Sequence, residues 1–109
     1  METSGSRSPL SSNADPAEVG PVLTPGPLAD AIITAIRASH EGVKVIDRGA
    51  YLRVLVPGRC LLEVGRVEAL LRGSFRLPGD LEAIMPSFRG QMVIASDQVT
   101  WQLFGSPPP

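Results

Sequence analysis

Residues Val43–Glu63 read VKVIDRGAYLRVLVPGRCLLE, and this stretch decides the fold class. Val43–Arg48 carries β-branched side chains at 43, 45 and 46 and reads as a strand. Gly49-Ala50 interrupts it as a turn or bulge would. In Tyr51–Val56, Tyr51, Arg53 and Leu55 alternate against Leu52, Val54 and Val56. Large apolar residues on both faces predict a central position in a sheet. Pro57-Gly58 is a strong turn signal, because Pro fixes φ at one corner and Gly supplies positive φ at the next. Arg59–Glu63 then reads as the returning arm of a hairpin.

Toward the N-terminus, Leu28, Ile32, Ala35, Ile36 and Ser39 recur at helical spacing, with Ile33 widening the stripe. Pro27 suits the first helical position, Asp30 the first turn, Arg37 and His40 the end, and Gly42 the stop. The spacing predicts a helix over Leu28–Glu41. Before it, Val19–Leu23 reads as an edge strand or extended segment, since Pro21 cannot donate to a ladder. Toward the C-terminus, Val64, Val67, Leu70 and Leu71 mark a short helix closed by Gly73. Leu81, Ile84 and Met85 predict a further turn or two, with Asp80 as N-cap and Pro86 as the stop. Gln91–Ala95 and Gln98–Phe104, joined by Ser96-Asp97, form a last hairpin with one buried face. The order β-α-β-β-β-α-α-β-β, with helices packed on antiparallel hairpins, is α+β. No internal repeat interrupts it.

The chain of 109 residues suits one domain, and its 43% hydrophobic and 19% charged residues exclude disorder throughout. Residues 1–18 hold five serines and, after Met1, one large apolar side chain, Leu10; they read as a tail. Residues 105–109 read as a shorter one, leaving a folded unit over 19–104. Ten Lys+Arg against eleven Asp+Glu give a net charge of −1, which argues against a nucleic-acid binder. No run approaches the length of a membrane span and the N-terminus lacks an apolar signal core, so the expected location is the cytoplasm.

Catalytic equipment is sparse. One cysteine, Cys60, allows no internal disulfide, and one histidine, His40, allows no two-His metal site. His40 reads as a helix-end residue meeting the carbonyl dipole, and Cys60 as a packed or half-exposed thiol. Glu63/Glu68 and Asp80/Glu82 are the closest carboxylate pairs, and neither spacing forces convergence. No phosphate-binding glycine motif occurs. Seven of the ten basic residues, all arginine, lie between Arg48 and Arg89. That bias fits protein-interface ion pairs, and equally a GC-rich genome. The residues thus describe a small domain with no obvious catalytic equipment, which shifts weight toward a subunit that acts by binding something else.

Several segments, taken in order, carry a resemblance. They are Val19-Gly20-Pro21-Val22; Val45-Ile46-Asp47-Arg48-Gly49-Ala50-Tyr51-Leu52-Arg53-Val54, in the pattern acidic-Arg-x-Ala-Tyr-x-Arg-apolar; Arg59-Cys60-Leu61-Leu62; Val67–Leu71; Leu81-Glu82; Ser87-Phe88-Arg89-Gly90-Gln91; and Asp97-Gln98. Over residues 19–104 the set resembles the effector (coupling or regulatory) proteins of bacterial soluble di-iron monooxygenases, and looks most like their toluene and alkene branch. The resemblance implies a non-catalytic subunit without metal or flavin. Its partner would be a hydroxylase holding a carboxylate-bridged di-iron centre, alongside a reductase and often a Rieske ferredoxin. Docking would tune oxygen activation and substrate access, and would couple NADH use to hydroxylation or epoxidation. The pattern points for docking to Val19, Gly20, Pro21, Val22, Asp47, Arg48, Tyr51, Arg53, Ser87, Phe88, Gly90 and Gln91. Tyr51 and Phe88 could equally be core, Gly90 a bend, and Asp47 and Arg48 a pair within the fold. Two other readings stay open: a metabolite-sensing α+β regulatory domain, and an enzyme using Cys60 or His40.

Overall fold

The structure is a computed structural model that describes residues 17–104. In chain order it comprises β1 (Glu18–Leu23), α1 (Pro27–Ser39), β2 (Lys44–Asp47), β3 (Leu52–Pro57), β4 (Arg59–Glu63), α2 (Val64–Leu71), α3 (Gly79–Glu82), β5 (Ser87–Arg89), β6 (Gln91–Ile94) and β7 (Gln98–Gln102). The expected α+β order holds, with the three-residue β5 added. The strands form two antiparallel sheets, β2-β3-β1-β5 and β4-β7-β6.

Two sequence expectations fail here, each for a non-local reason. Pro57-Gly58 does turn the chain, but β4 does not return along β3. It crosses to the second sheet and pairs with β7, Cys60 opposite Trp101 and Leu62 opposite Val99. A turn signal reports a change of direction and says nothing about the next partner. Likewise β1 is not an edge strand: it lies between β3 and β5. Its ladder to β3 is made at residues 18, 19, 22 and 23 and skips Gly20 and Pro21, so the missing proline donor falls in the gap. Gly20, at φ +148, permits the gap; a Cβ there would stand 2.2 Å from the Val54 carbonyl oxygen.

The core lies between the sheets and α1. Val19, Leu23, Val54 and Val56 from the first sheet meet Cys60, Leu62, Val99 and Trp101 from the second, with Ile32, Ala35 and Ile36 of α1. Small Ala29, Ala31 and Ala35 on its buried side let α1 lie close; it packs against β4 and α2. The helix stops at Ser39, two residues short of expectation, because the His40 imidazole turns back and its Nε2 accepts from the Leu61 N–H at 2.8 Å. The helix-dipole reading of His40 is therefore replaced by a tie between α1 and β4.

The α2 terminus also differs in detail. Arg72, not Gly73, takes the left-handed conformation, at φ 57. The carbonyl of Glu68 accepts from both Arg72 and Gly73, and its carboxylate accepts from the Phe75 N–H at 3.0 Å, which seats Phe75 in the core. In α3 the N-cap position is Pro78; Asp80 lies inside the helix and its carboxylate accepts from the Arg76 N–H at 2.8 Å. The last hairpin is present, but β7 is the middle strand of its sheet and is buried on both faces, Val99 and Trp101 on one, Thr100 and Gln102 on the other. β1 begins at Glu18, inside the stretch read as tail. The remaining tail residues, 1–16 and 105–109, lie outside the described residues.

The close approach at Gly20 generates a stability test. Gly20→Ala should lose roughly 3 kcal/mol or more in urea denaturation, because left-handed strain and a backbone collision add. Gly26→Ala has a similar φ of +152 but no neighbour within 4 Å, and should lose clearly less. Equal losses would show that φ, not the contact with Val54, makes Gly20 necessary.

Candidate docking surface

Of the titratable residues singled out in the sequence, Cys60, His40, Glu63, Glu68 and Asp80 each have a local structural place. Cys60 is fully buried beside Trp101, and that burial pushes its thiol up to about 12. A thiol held protonated and out of solvent is not a nucleophile. The Nε2 lone pair of His40 is occupied by the Leu61 N–H. Glu63 bridges Arg66 at 2.6 Å, Glu68 holds the Phe75 amide, and Asp80 holds the Arg76 amide. Among the described residues, no three of His, Cys, Asp and Glu come together as metal ligands would.

The surface is more informative. β2 and β3 are paired Lys44↔Leu55, Val45↔Val54, Ile46↔Arg53 and Asp47↔Leu52. The hairpin closes one pair further on, where the Arg48 N–H donates to the Tyr51 carbonyl at 2.9 Å. The tip is Gly49-Ala50: Gly49 stands at φ +81 and the Ala50 N–H donates back to Arg48 at 3.0 Å, a γ-turn. The Asp47 carboxylate accepts from the Gly49 N–H at 2.8 Å and fixes the loop.

Strand alternation sorts the side chains of this sheet. Val54, Val56, Leu23 and Val19 face the core. Arg48, Tyr51, Ile46, Arg53 and Leu55 face the other way, joined across the ladder by Val22 and Ser87, since Arg53 pairs with Val22 and Val22 with Ser87. No helix of the described residues covers this outer face: α1 and α2 make their main contacts with each other and with β4. Val22 and Ile46 are half-buried yet outside the core cluster and its packed margin, and Tyr51 is 39% exposed. Leu55 is covered on the same face, where Lys44 bridges Glu18 at 3.2 Å.

Of the residues named from the pattern, the fold brings Val22, Arg48, Tyr51, Arg53 and Ser87 together on this face. Val19, Gly20 and Pro21 are buried and shape β1. Asp47 points from the opposite face and builds the turn. Phe88 pairs with Pro21 on the opposite face and is 40% exposed at the sheet edge. Gly90 joins β5 to β6 against Val19 and the Gln102 carbonyl, and Gln91 opens β6, exposed. Ile46 is the member the sequence reading missed. A two-residue closure at Gly49-Ala50 would have placed it opposite Arg53.

Comparison with known proteins decides the family. The profile of the MmoB/DmpM family matches residues 17–102, nearly the whole described chain. This chain belongs to the MmoB/DmpM family. It is 41% identical over 85 residues to the effector subunit of the alkene monooxygenase system of Xanthobacter autotrophicus (strain ATCC BAA-1158 / Py2), covering 76% of this chain and 83% of that one. Its fold is shared with a chain in the phenol hydroxylase–regulatory protein complex (TM-score 0.70, 13% identity, 78% of this chain and 97% of that one). It is also shared with the regulatory protein B of soluble methane monooxygenase (TM-score 0.60, 19% identity, 94% and 81%). The effector-family resemblance in the sequence is thus correct.

The buried thiol gives a prediction in pH. Above about pH 9 an unfolded chain releases the Cys60 proton, whereas the folded thiol holds it to about 12. This contribution to stability is fully present below pH 9 and is lost as the pH rises through 12, by about 1.4 kcal/mol per pH unit. Denaturant melts of the wild type and Cys60→Ala between about pH 8 and about pH 11, the range in which a free thiol ionises, should converge or cross as the pH rises. A constant difference would show that Cys60 does not titrate between the two states.

Proposed function

We propose that this chain is the effector subunit of a multicomponent di-iron monooxygenase that oxidises alkenes or aromatic hydrocarbons. The carrying observation is the 41% identity to an alkene monooxygenase effector subunit, running through the folded unit. The partner is the hydroxylase component, which holds the di-iron centre. A reductase and a Rieske ferredoxin complete the system, in the cytoplasm. This chain supplies no cofactor and no catalytic residue. What it supplies is a surface, drawn from the docking residues that the fold leaves accessible: Val22, Arg48, Tyr51, Arg53 and Ser87, with Phe88 and Gln91 at its margin.

A protein without chemistry of its own changes a rate by binding one conformation of its partner more tightly than another. A tenfold gain in the active population needs about 1.4 kcal/mol of differential binding. A few well-packed interfacial side chains provide that. Docking in this way tunes substrate access and oxygen activation, and links NADH consumption to product.

The test is a titration of the purified hydroxylase, reductase and ferredoxin with this protein, following product and NADH in parallel. Product per NADH should rise and saturate near one effector per active site. Heat-denatured protein should have no effect, because the surface joins β1, the β2–β3 hairpin and β5. A flat response in both yield and rate, with the cognate hydroxylase, would overturn the assignment.

A further inference from the structure

We infer that the outer face of the first sheet docks against a carboxylate set among apolar side chains on the hydroxylase, and that Arg53 is the anchor that receives it. This rests on the proposed effector function and says what its surface recognises. Arg53 lies in the third strand pair from the hairpin tip, between Ile46 and Val22, with Ser87 beyond. It is partly buried, and its guanidinium makes no hydrogen bond or ion pair with the described residues. A planar fork of five N–H donors held in an apolar row, with no acceptor, fits a carboxylate bidentately.

The charges on the face agree. Among the described residues, Arg48 and Arg53 both stand on it without an acidic partner. Glu18 lies at the far end and is engaged by Lys44 at 3.2 Å, with its carbonyl accepting from Arg89 at 3.0 Å. The nearest acid in sequence, Asp47, faces away and holds the Gly49 amide. A chain of net charge −1 therefore presents a locally positive, partly apolar face that complements an acidic one. Around the cation, Ile46 and Val22 supply flanks outside the core, and Tyr51 supplies an exposed aromatic ring at the tip. Arginine and tyrosine ringed by apolar contacts that exclude water are the composition of interface hot spots.

The experiment is calorimetric titration of full-length protein into the cognate hydroxylase at low and high salt. Wild-type binding should weaken as salt rises. Arg53→Gln should weaken it about 30-fold or more and flatten the salt dependence. Arg53→Lys should fall between, since it keeps the charge and loses the fork. Arg53→Glu should be the weakest. Thermal melts and the fluorescence of buried Trp101 check that each variant is folded; if Arg53→Glu fails to fold, Arg53→Gln and the salt series carry the test. Wild-type binding matched by both Arg53→Gln and Arg53→Lys would overturn this inference and leave the effector function standing. No binding by the wild type would overturn both. Binding to phosphatidylserine vesicles that is lost in Arg53→Gln, with hydroxylase binding unchanged, would assign the face to a lipid surface and overturn the inference.

Discussion

The fold depends on how closely β1 can be pressed between its neighbours. At Gly20 the strand comes so near β3 that a Cβ would stand 2.2 Å from the Val54 carbonyl oxygen. On the next residue back, the Val19 side chain occupies the place a Cβ on Gly90 would need, 2.7 Å from Val19 Cγ1 and 2.7 Å from the Gln102 carbonyl. Val19 is thus gripped between two side-chain-free positions, one in its own strand and one at the β5–β6 junction. That grip is where the two sheets meet, because β1 belongs to the first and Gln102 to the second. Any side chain at either glycine would push the sheets apart and open the core that contains Leu23, Val54, Trp101 and Leu62.

From this closure follows the separation of surfaces. Pressing β1 inward commits one face of the first sheet to the core, and α1 and α2 are committed to β4 and to each other. Among the described residues, no helix is left to cover the opposite face of the first sheet. Val22 and Ile46 remain at its surface half-buried, where an ordinary two-layer domain would have placed polar residues. The same geometry gives Cys60 and His40 structural tasks. One lies under Trp101 and the other fastens α1 to β4. The ionisable residues maintain the framework, and the framework presents the outer face.

What the sequence made legible was what neighbouring residues decide. The α1 stripe follows from a 3.6-residue period, and the β2–β3 and β6–β7 hairpins from turn residues flanked by β-branched and apolar runs. Missed features depend on partners distant in sequence. Nothing local to Pro57-Gly58 says that β4 will seek β7, and nothing local to Pro21 says that β5 will close over its other side. Of the candidate surface, Arg48, Tyr51 and Arg53 were legible as a motif. Their placement on one face with Val22, Ser87 and Ile46 was not, because it needs the register of three ladders. The motif also mixed two kinds of residue: Asp47 and Gly90 keep the shape, whereas Arg48 and Arg53 stand on the outer face.

That division of roles bears on how such a protein could select a conformation of its partner. A compliant surface adapts to both states of a partner and discriminates between them little, however tightly it binds. A stiff surface turns a small displacement on the partner into a lost contact. Here the stiffness is built in at the hairpin. The Asp47 carboxylate, the γ-turn at Gly49 and the Arg48–Tyr51 closure fix the backbone under Arg48, Tyr51 and Arg53 before any partner arrives. With the backbone already fixed, less ordering is left to be done on binding, so more of the contact energy remains as affinity. The cation at Arg53 adds direction, since a bidentate carboxylate pair tolerates little misalignment. Under the proposed docking, shape held by Asp47, Gly20 and Gly90, and charge aimed by Arg53, would together give a surface that binds one arrangement of an acidic partner well and a shifted one poorly.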